Sequence, residues 1–270
     1  MEIVTNIATY QKKTPDNETV KTRRDVMTFT SIASGSSGNA YLVEADGVAP
    51  LLLEAGLPIK LLREKLSFRL TGLAGCLVSH EHGDHAKAVK DLLKSGVDCW
   101  MSRGTAETLG VQEHHRVARL KGYHGDDLST WYFPRTIGPW KIQPFALDHD
   151  AAEPTGFLVG HGDDRLLFIP DTSYVQNRFA DVTIAAIECN HISDILMDNV
   201  LDGHLPAVVG RRIRRNHMSL ENLIAMLKSN DLSKCRAIYL IHLSSGNSNE
   251  ELMKLEIQKL TGIPTYIAQE

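Results

Sequence analysis

The sequence predicts an α/β protein, a sandwich of sheets covered by helices, on three observations. Short apolar runs of strand length alternate with amphipathic stretches of helix length along most of the 270 residues. Five of those runs end on a side chain able to bind a metal: His80 and His82, His149, Asp171, Glu188, and His242. Random placement of polar residues does not put donors repeatedly at the same end of strands. The pattern predicts one site, assembled at one rim of the sandwich.

Composition narrows the class. Hydrophobic content of 43% and charged content of 23% are ordinary for a globular protein, and the length suffices for a sizeable core. A net charge of -4 excludes an all-over basic surface but leaves room for a local basic groove. Cys76, Cys99, Cys189 and Cys235 lie in apolar runs with no CxxC pair, as buried reduced thiols of a cytosolic protein do. No apolar run reaches the ~18 residues of a membrane span, and the N-terminus lacks a signal-peptide core. A cytoplasmic protein with no membrane partner is expected; oligomeric state is left open.

Taken in order, residues 1–26 are polar and aperiodic and read as a flexible N-terminal extension, with Lys21 to Arg24 as solvated charges. The single domain is expected over 27–270. Thr28 to Ile32, Ala40 to Glu44 and Pro50 to Glu54 alternate as strands. Between the first two lies Ala33-Ser34-Gly35-Ser36-Ser37-Gly38-Asn39, either a plain hairpin loop or a set of donors to an anion. Pro58 to Leu66 reads as a helix with proline in its first turn.

The run ending at Val78 leads into His80-Glu81-His82-Gly83-Asp84-His85. With 12 histidines in 270 residues, three histidines and an aspartate so spaced arise by composition in roughly one chain in a thousand. Side chains two apart at a strand end share a face, so His80 and His82 can meet one ion. The turn at Gly83 swings Asp84 and His85 toward a second. Imidazole and carboxylate suit zinc, manganese or iron without thiolate.

Ala86 to Lys94 continues as an amphipathic helix stopped by Gly96, then a strand over Asp98 to Met101 and a short helix over Gly104 to Leu109. Residues 110–139 read as irregular, with His114, His115 and His124 lacking ligand spacing. Trp140 to Leu147 is a strand ending near His149; Thr155 to Gly160 and Arg165 to Ile169 form a hairpin ending near Asp171. Val182 to Ile187 ends in Glu188, and Cys235 to Ile241 in His242. Helices are expected over Met218 to Leu227 and Glu250 to Leu260, and a last strand over Pro264 to Ala268.

With His80-x-His82-x-Asp84-His85, a lone His149, Asp171 and His242 in that order, the chain resembles the metallo-β-lactamase superfamily from about Thr28 to Asn249. Within it, the chain is similar to the YycJ/WalJ-type exonuclease-like branch related to ribonuclease Z. Ser34 to Asn39, His149 to Phe157, Glu188-Cys189-Asn190-His191 and Arg212 to Ser219 carry that closer likeness. Asn216-His217-Met218-Ser219-Leu220 departs from the branch's usual Gly-His-Leu-Ser-Asn, and Leu205-Pro206 from Tyr-Pro. The resemblance implies a four-layered αββα sandwich binding two divalent metal ions, zinc first, with manganese or iron as alternatives. It implies His80, His82 and His149 on one ion, Asp84, His85 and His242 on the other, and Asp171 bridging.

The implied reaction is phosphodiester hydrolysis of nucleic acid, DNA or RNA, by a hydroxide shared between the ions. Asp84, Glu188 and His217 are the implied catalytic residues. Glu188 orients His217 as proton donor to the leaving group; the alternative is a helix-capping histidine with Glu188 paired to an arginine. Arg211, Arg212, Arg214 and Arg215 favour a phosphate-rich substrate, although a solvated helix face carries such charges too. Ser244 and Asn247 are weaker phosphate contacts. The competing activity is a small-molecule hydrolase on the same fold: a cyclic-nucleotide phosphodiesterase, a thioesterase or a lactonase. A non-catalytic binding module is disfavoured because every expected ligand is present.

Overall fold

The computed structural model describes residues 26–123 and 131–268. The expected extension, save Val26, and His124 lie outside the described residues. The described residues form two sheets, eight α-helices and a single-turn 3-10 helix over Leu70–Gly72.

The first sheet runs in order β1 (Thr28–Ala33), β2 (Ala40–Glu44), β3 (Leu51–Leu53), β4 (Gly75–Leu77), β5 (Cys99–Met101) and β6 (Val117–Arg119). It begins as an antiparallel meander and turns parallel from β3 onward. The second sheet uses β7 (Gly122–Tyr123), β8 (Trp131–Tyr132), β9 (Arg135–Ile137), β10 (Trp140–Ala146), β11 (Thr155–His161), β12 (Asp164–Ile169), β13 (Ile184–Glu188), β14 (Ala237–Ile241) and β15 (Thr265–Ile267). Its β12, β13, β14 and β15 are parallel neighbours.

Period-two alternation explains the layering. Tyr41, Val43, Leu51, Leu53 and Leu77 point into a core shared with Trp140, Phe157, Leu166, Phe168 and Ile184 of the second sheet. Their sequence neighbours Ala40, Leu52, Cys76 and Cys99 point the other way, against α1 (Ile59–Lys65), α3 (Val89–Lys94) and α4 (Arg103–Thr108). On the second sheet, Leu167, Ile169, Ala185 and Ile187 face α7 (Leu220–Lys228) and α8 (Glu250–Thr261). Strands buried on both faces read as unbroken apolar runs, which is why β12 and β13 stood out in the sequence. The architecture is the expected four-layered αββα sandwich in one domain. No helix among the described residues is long and apolar enough to cross a membrane.

Three departures have local causes. The expected helix over Ala86 to Lys94 divides into α2 (Gly83–Ala86) and α3. Between them Ala88 donates its N–H to the Ala55 carbonyl, and Ala55 donates to His85, so this backbone braces β3's exit loop instead of extending a helix. Region 110–139 holds β6 to β9 rather than irregular chain; strands of two or three residues are too short for a period to show. Two further helices, α5 (Ser193–Leu201) and α6 (Ala207–Asn216), lie where the sequence reading assigns none. Each buries little apolar surface, Leu196 in α5 and only Gly210 and Asn216 in α6, so the hydrophobic signal is weak.

An ion pair of the second sheet holds the main chain at the start of the first through hydrogen bonds. Arg236 donates to both oxygens of Asp164 at 2.5 and 3.1 Å and to the Met27 carbonyl at 2.8 Å, while Met27 N–H donates back to Asp164. Burial works against the Asp164 charge, but these donors hold its pKa below the usual carboxylate range. Both side chains keep some exposure, which screens the pair. Arg236→Ala is expected to lower stability by about 1–2 kcal/mol, read as a lower urea midpoint at pH 7. Because Asp164's folded pKa is depressed, its contribution is present above the ordinary aspartate pKa and fades as pH falls below it. The gap between wild type and variant should therefore narrow under acid.

Candidate metal centre

The site forms where five strands stop. His80 and His82 follow β4, His149 follows β10, Asp171 follows β12, Glu188 ends β13, and His242 follows β14. Every implied ligand arrives at this rim. His80, His82 and His149 offer ligand atoms within 4.8 Å of one another, and so do Asp84, His85, Asp171 and His242. Asp171 lies between the groups. Its Oδ1 is 3.3 Å from His85 Nε2 and 3.0 Å from His242 Nδ1, and its Oδ2 is 3.8 Å from His149 Nε2.

Hydrogen bonds behind the rings decide which nitrogen faces inward. His149 Nδ1 is 2.8 Å from the Asn216 carbonyl oxygen, an acceptor only, so Nδ1 carries the hydrogen and Nε2 presents its lone pair. His82 Nδ1 nevertheless sits 3.2 Å from that same Nε2. Donors about 2.1 Å from a tetrahedral ion lie roughly 3.4 Å from one another. The His82–His149 spacing fits that value, as do Asp84–His85 at 3.4 Å and Asp84–His242 at 3.3 Å. His80 is wholly buried with Nδ1 bonded to Ser79 Oγ at 2.8 Å, yet its Nε2 has no hydrogen-bond partner. Nε2 of His242 and Oδ1 of Asp171 are also buried without a hydrogen-bond partner. Such orphans are costly unless a cation meets them. The residues fit two divalent ions.

The electrostatics agree. Burial, with His85 adding to it, keeps His80 well below its ordinary pKa and neutral, as a ligand must be. Burial disfavours the Asp171 charge, but His242 and His85 lower its pKa well beneath the usual range. Burial likewise opposes a proton on His242, and Asp171, Asp84 and Glu188 together raise its pKa to about 10. The carboxylates set up a potential that calls for positive charge at this point.

Glu188 serves two rings. It is fully buried, with Oε2 accepting from the Thr172 and Met218 N–H groups, both at 2.9 Å. Its Oε1 receives His217 Nδ1 at 2.6 Å and His242 Nδ1 at 3.1 Å. Both rings thereby commit Nδ1 to Glu188, and His242 Nε2 lies 3.3 Å from Asp84 Oδ2. Burial lowers the His217 pKa, but the Glu188 charge outweighs it and raises it. Met218 and Ser219 are drawn out of the helix expected there, because the Met218 N–H is committed to Glu188; α7 starts at Leu220 with Ser219 as its cap.

Several residues around the ligands brace them, the loop after β1 and the pair Ser244 and Asn247 through bonds within the protein, and Glu54 as a residue the sequence did not single out. The loop after β1 turns its side chains inward: Ser34 Oγ accepts the His242 N–H at 2.9 Å, and Asn39 Nδ2 reaches the Asp84 carbonyl and His85 Nε2, each at 3.2 Å. His242 itself has φ of +54°, a left-handed conformation that the surrounding bonds must enforce. Glu54, also left-handed at φ +66°, is fully buried with a carboxylate 3.5 Å from His85 Nδ1. It ends an apolar run just as the ligands do, so the signal that found them also marks it. Ser244 and Asn247 bond each other at 3.0 Å, and Asn247 also meets Asn199 at 2.9 Å and so ties α5 down. His114 and His115 stack on each other away from the ligand groups.

Gly56 is where the bracket closes. Its N–H donates to Asn39, whose own N–H donates to the Asp84 carbonyl, and a Cβ at Gly56 would lie 1.7 Å from that carbonyl oxygen. Gly56→Ala must push Asp84 and His85 away from the other ligands. The wild type is expected to retain two divalent ions per chain by elemental analysis after gel filtration. The folded variant should retain fewer, and two ions with full occupancy would refute the role of Gly56.

Comparison with known proteins supplies the family. The model of the Beta-lactamase superfamily domain matches residues 52–243. Exodeoxyribonuclease YycJ of Bacillus anthracis is 28% identical over 242 residues, covering 86% of this chain and 88% of the relative. Exodeoxyribonuclease WalJ of Streptococcus pneumoniae is 28% identical over 232 residues, covering 83% and 84%. Among solved structures, the metallo-beta-lactamase fold protein YhfI from Bacillus subtilis superposes with a TM-score of 0.65 at 17% identity, over 90% of this chain and 96% of that one. With a family model spanning most of its length and the donor set at the rim of an αββα sandwich, the chain belongs to the beta-lactamase superfamily.

Proposed function

We propose that the protein is a metal-dependent phosphodiesterase that hydrolyses nucleic acid, with zinc as the preferred ion and manganese or iron accepted by the same donors. His80, His82 and His149 would hold one ion, Asp84, His85 and His242 the other, with Asp171 shared. Bound there, two such ions acidify water and neutralise charge on a phosphoryl group. The observation that carries the reading is the 2.6 Å bond between Glu188 and His217 beside the ligand groups. Cleaving a phosphodiester expels an alkoxide, a poor leaving group without a proton. Glu188 keeps His217 protonated, and with Nδ1 committed to the carboxylate, Nε2–H is the proton that the departing oxygen takes. Asp84 keeps 23% side-chain exposure against 3% for Asp171, so it would be the carboxylate more accessible to an entering water.

A thioester hydrolase has less need of such a donor, since a thiolate leaves more readily than an alkoxide. The similarity to exodeoxyribonucleases YycJ and WalJ supports DNA as the first substrate to test. The test is a panel of single- and double-stranded DNA, structured RNA, bis-p-nitrophenyl phosphate, a cyclic mononucleotide and an acyl thioester, with defined zinc or manganese. Turnover of the thioester with none of any phosphodiester would overturn the proposal.

His217→Ala is expected to keep both ions while losing roughly 10²–10⁴-fold in kcat on phosphodiesters. Its loss should shrink on a diester with a p-nitrophenolate leaving group, which needs less protonation. Asp171→Ala is expected to lose metal and turnover together, as elemental analysis and the same assay would record.

A further inference from the structure

We propose that the arginine-lined cleft along α6 binds the backbone phosphates of the strand beyond the scissile bond, so that the protein selects a polynucleotide over a small diester. The proposal rests on the phosphodiesterase reading above and names the residues that would give it substrate preference.

A cleft of about 790 Å³ opens beside the metal centre, with His149 and Asn216 in its wall. Arg211, Arg212, Arg214 and Arg215, all on α6, also line it. Four guanidiniums here face two carboxylates, Asp148 and Asp150, in a chain whose net charge is -4. Those carboxylates are engaged: Asp148 accepts from Ser173 Oγ at 2.8 Å, and Asp150 takes Arg212 Nε at 3.0 Å. Arg212 is thus pinned next to His149, whose Nε2 is 3.4 Å from Asp150. Among the described residues no ion pair involves Arg211, Arg214 or Arg215.

The spacing of these three matters. Arg211 lies three residues before Arg214 and four before Arg215, so the side chains group on one side of the helix and repel one another. The negative end of the helix dipole offers a partial reason for Arg214 and Arg215, which occupy the last turn. It offers none for Arg211. The carbonyl of Asn216 at that end is bonded to His149, so the helix is docked on the metal ligand itself. Five residues of helix place Arg211 about 7.5 Å along the axis from Asn216, so it lies farther along the cleft from His149 than Arg214 and Arg215 do. A polyanion that occupied the centre and continued along the cleft would meet all three charges. A cyclic mononucleotide would not.

The experiment uses the metal-loaded full chain and three substrates: bis-p-nitrophenyl phosphate, a single-stranded DNA oligonucleotide and its RNA counterpart. The variants are Arg211→Gln, Arg214→Gln and Arg215→Gln, alone and combined, with the matching Lys substitutions as charge-preserving controls. Elemental analysis accompanies each. The combined Gln variant, with two ions still bound, should raise KM for the better oligonucleotide at least tenfold more than for the small diester. Its plot of log kcat/KM against log salt should flatten by about 2, near 0.7 for each lost contact, and the Lys variants should restore the slope. An unchanged oligonucleotide KM and slope with the small diester still cleaved overturns the proposal, as does a wild type that cleaves the small diester but neither oligonucleotide. A wild type that cleaves no phosphodiester removes the underlying reading, and this inference with it.

Discussion

The constraint on which the fold depends is the crowding of imidazole nitrogens and carboxylates around one small volume. His82 and His149 turn nitrogens toward each other at 3.2 Å, and His80, buried beside them, has an inward nitrogen with no partner. Three carboxylates, Asp84, Asp171 and Glu188, close the other side. Without positive charge between them this arrangement works against folding. The backbone around it is shaped to keep it. Two non-glycine residues are held left-handed, the loop after β1 gives up its hydroxyl and amide to ligand-bearing segments, and Gly56 lets two chains pass closer than any side chain permits.

Glu188 links this cluster to chemistry. A single carboxylate oxygen receives two imidazole N–H groups, one from His217 and one from His242. Its other oxygen takes two main-chain donors, which fix the carboxylate and break the start of α7. Protonation of His217 and orientation of His242 are therefore set by the same group. Double-stranded hydrogen bonding of this kind is high-stakes in a buried site, because removal of one partner disturbs all the others.

Much of this was legible in the sequence because it obeys short-range rules. An apolar run followed by a donor is a local pattern, and it located β4, β10, β12, β13 and β14 with the residues at their ends. The same rule applied to Leu51–Leu53 and Glu54 would have flagged Glu54, which instead read as a plain strand end. What stayed hidden depends on partners distant in the chain. Ser34 meets His242 across 208 residues, and no periodicity announces such a contact. The helices α5 and α6 were missed because they are mostly exposed: of the apolar side chains of α5 only Leu196 is buried, and α6 buries only Gly210 and Asn216, so neither presents a core-facing stripe. The division of the helix at Lys87 and Ala88 arises from backbone bonds to Ala55, again invisible to local propensity.

The bond from His149 to Asn216 uses a main-chain carbonyl, so the identity of the side chain at 216 is irrelevant to it. Its position in the helix is not. Adding or removing one residue in α6 turns everything beyond by about 100°. The carbonyl would swing off the imidazole, and the residues after it would rotate relative to the arginines before it. Relatives that keep this connection should therefore conserve the number of residues between the arginines of this helix and the histidine that follows. A length polymorphism there would mark a protein whose centre is built differently.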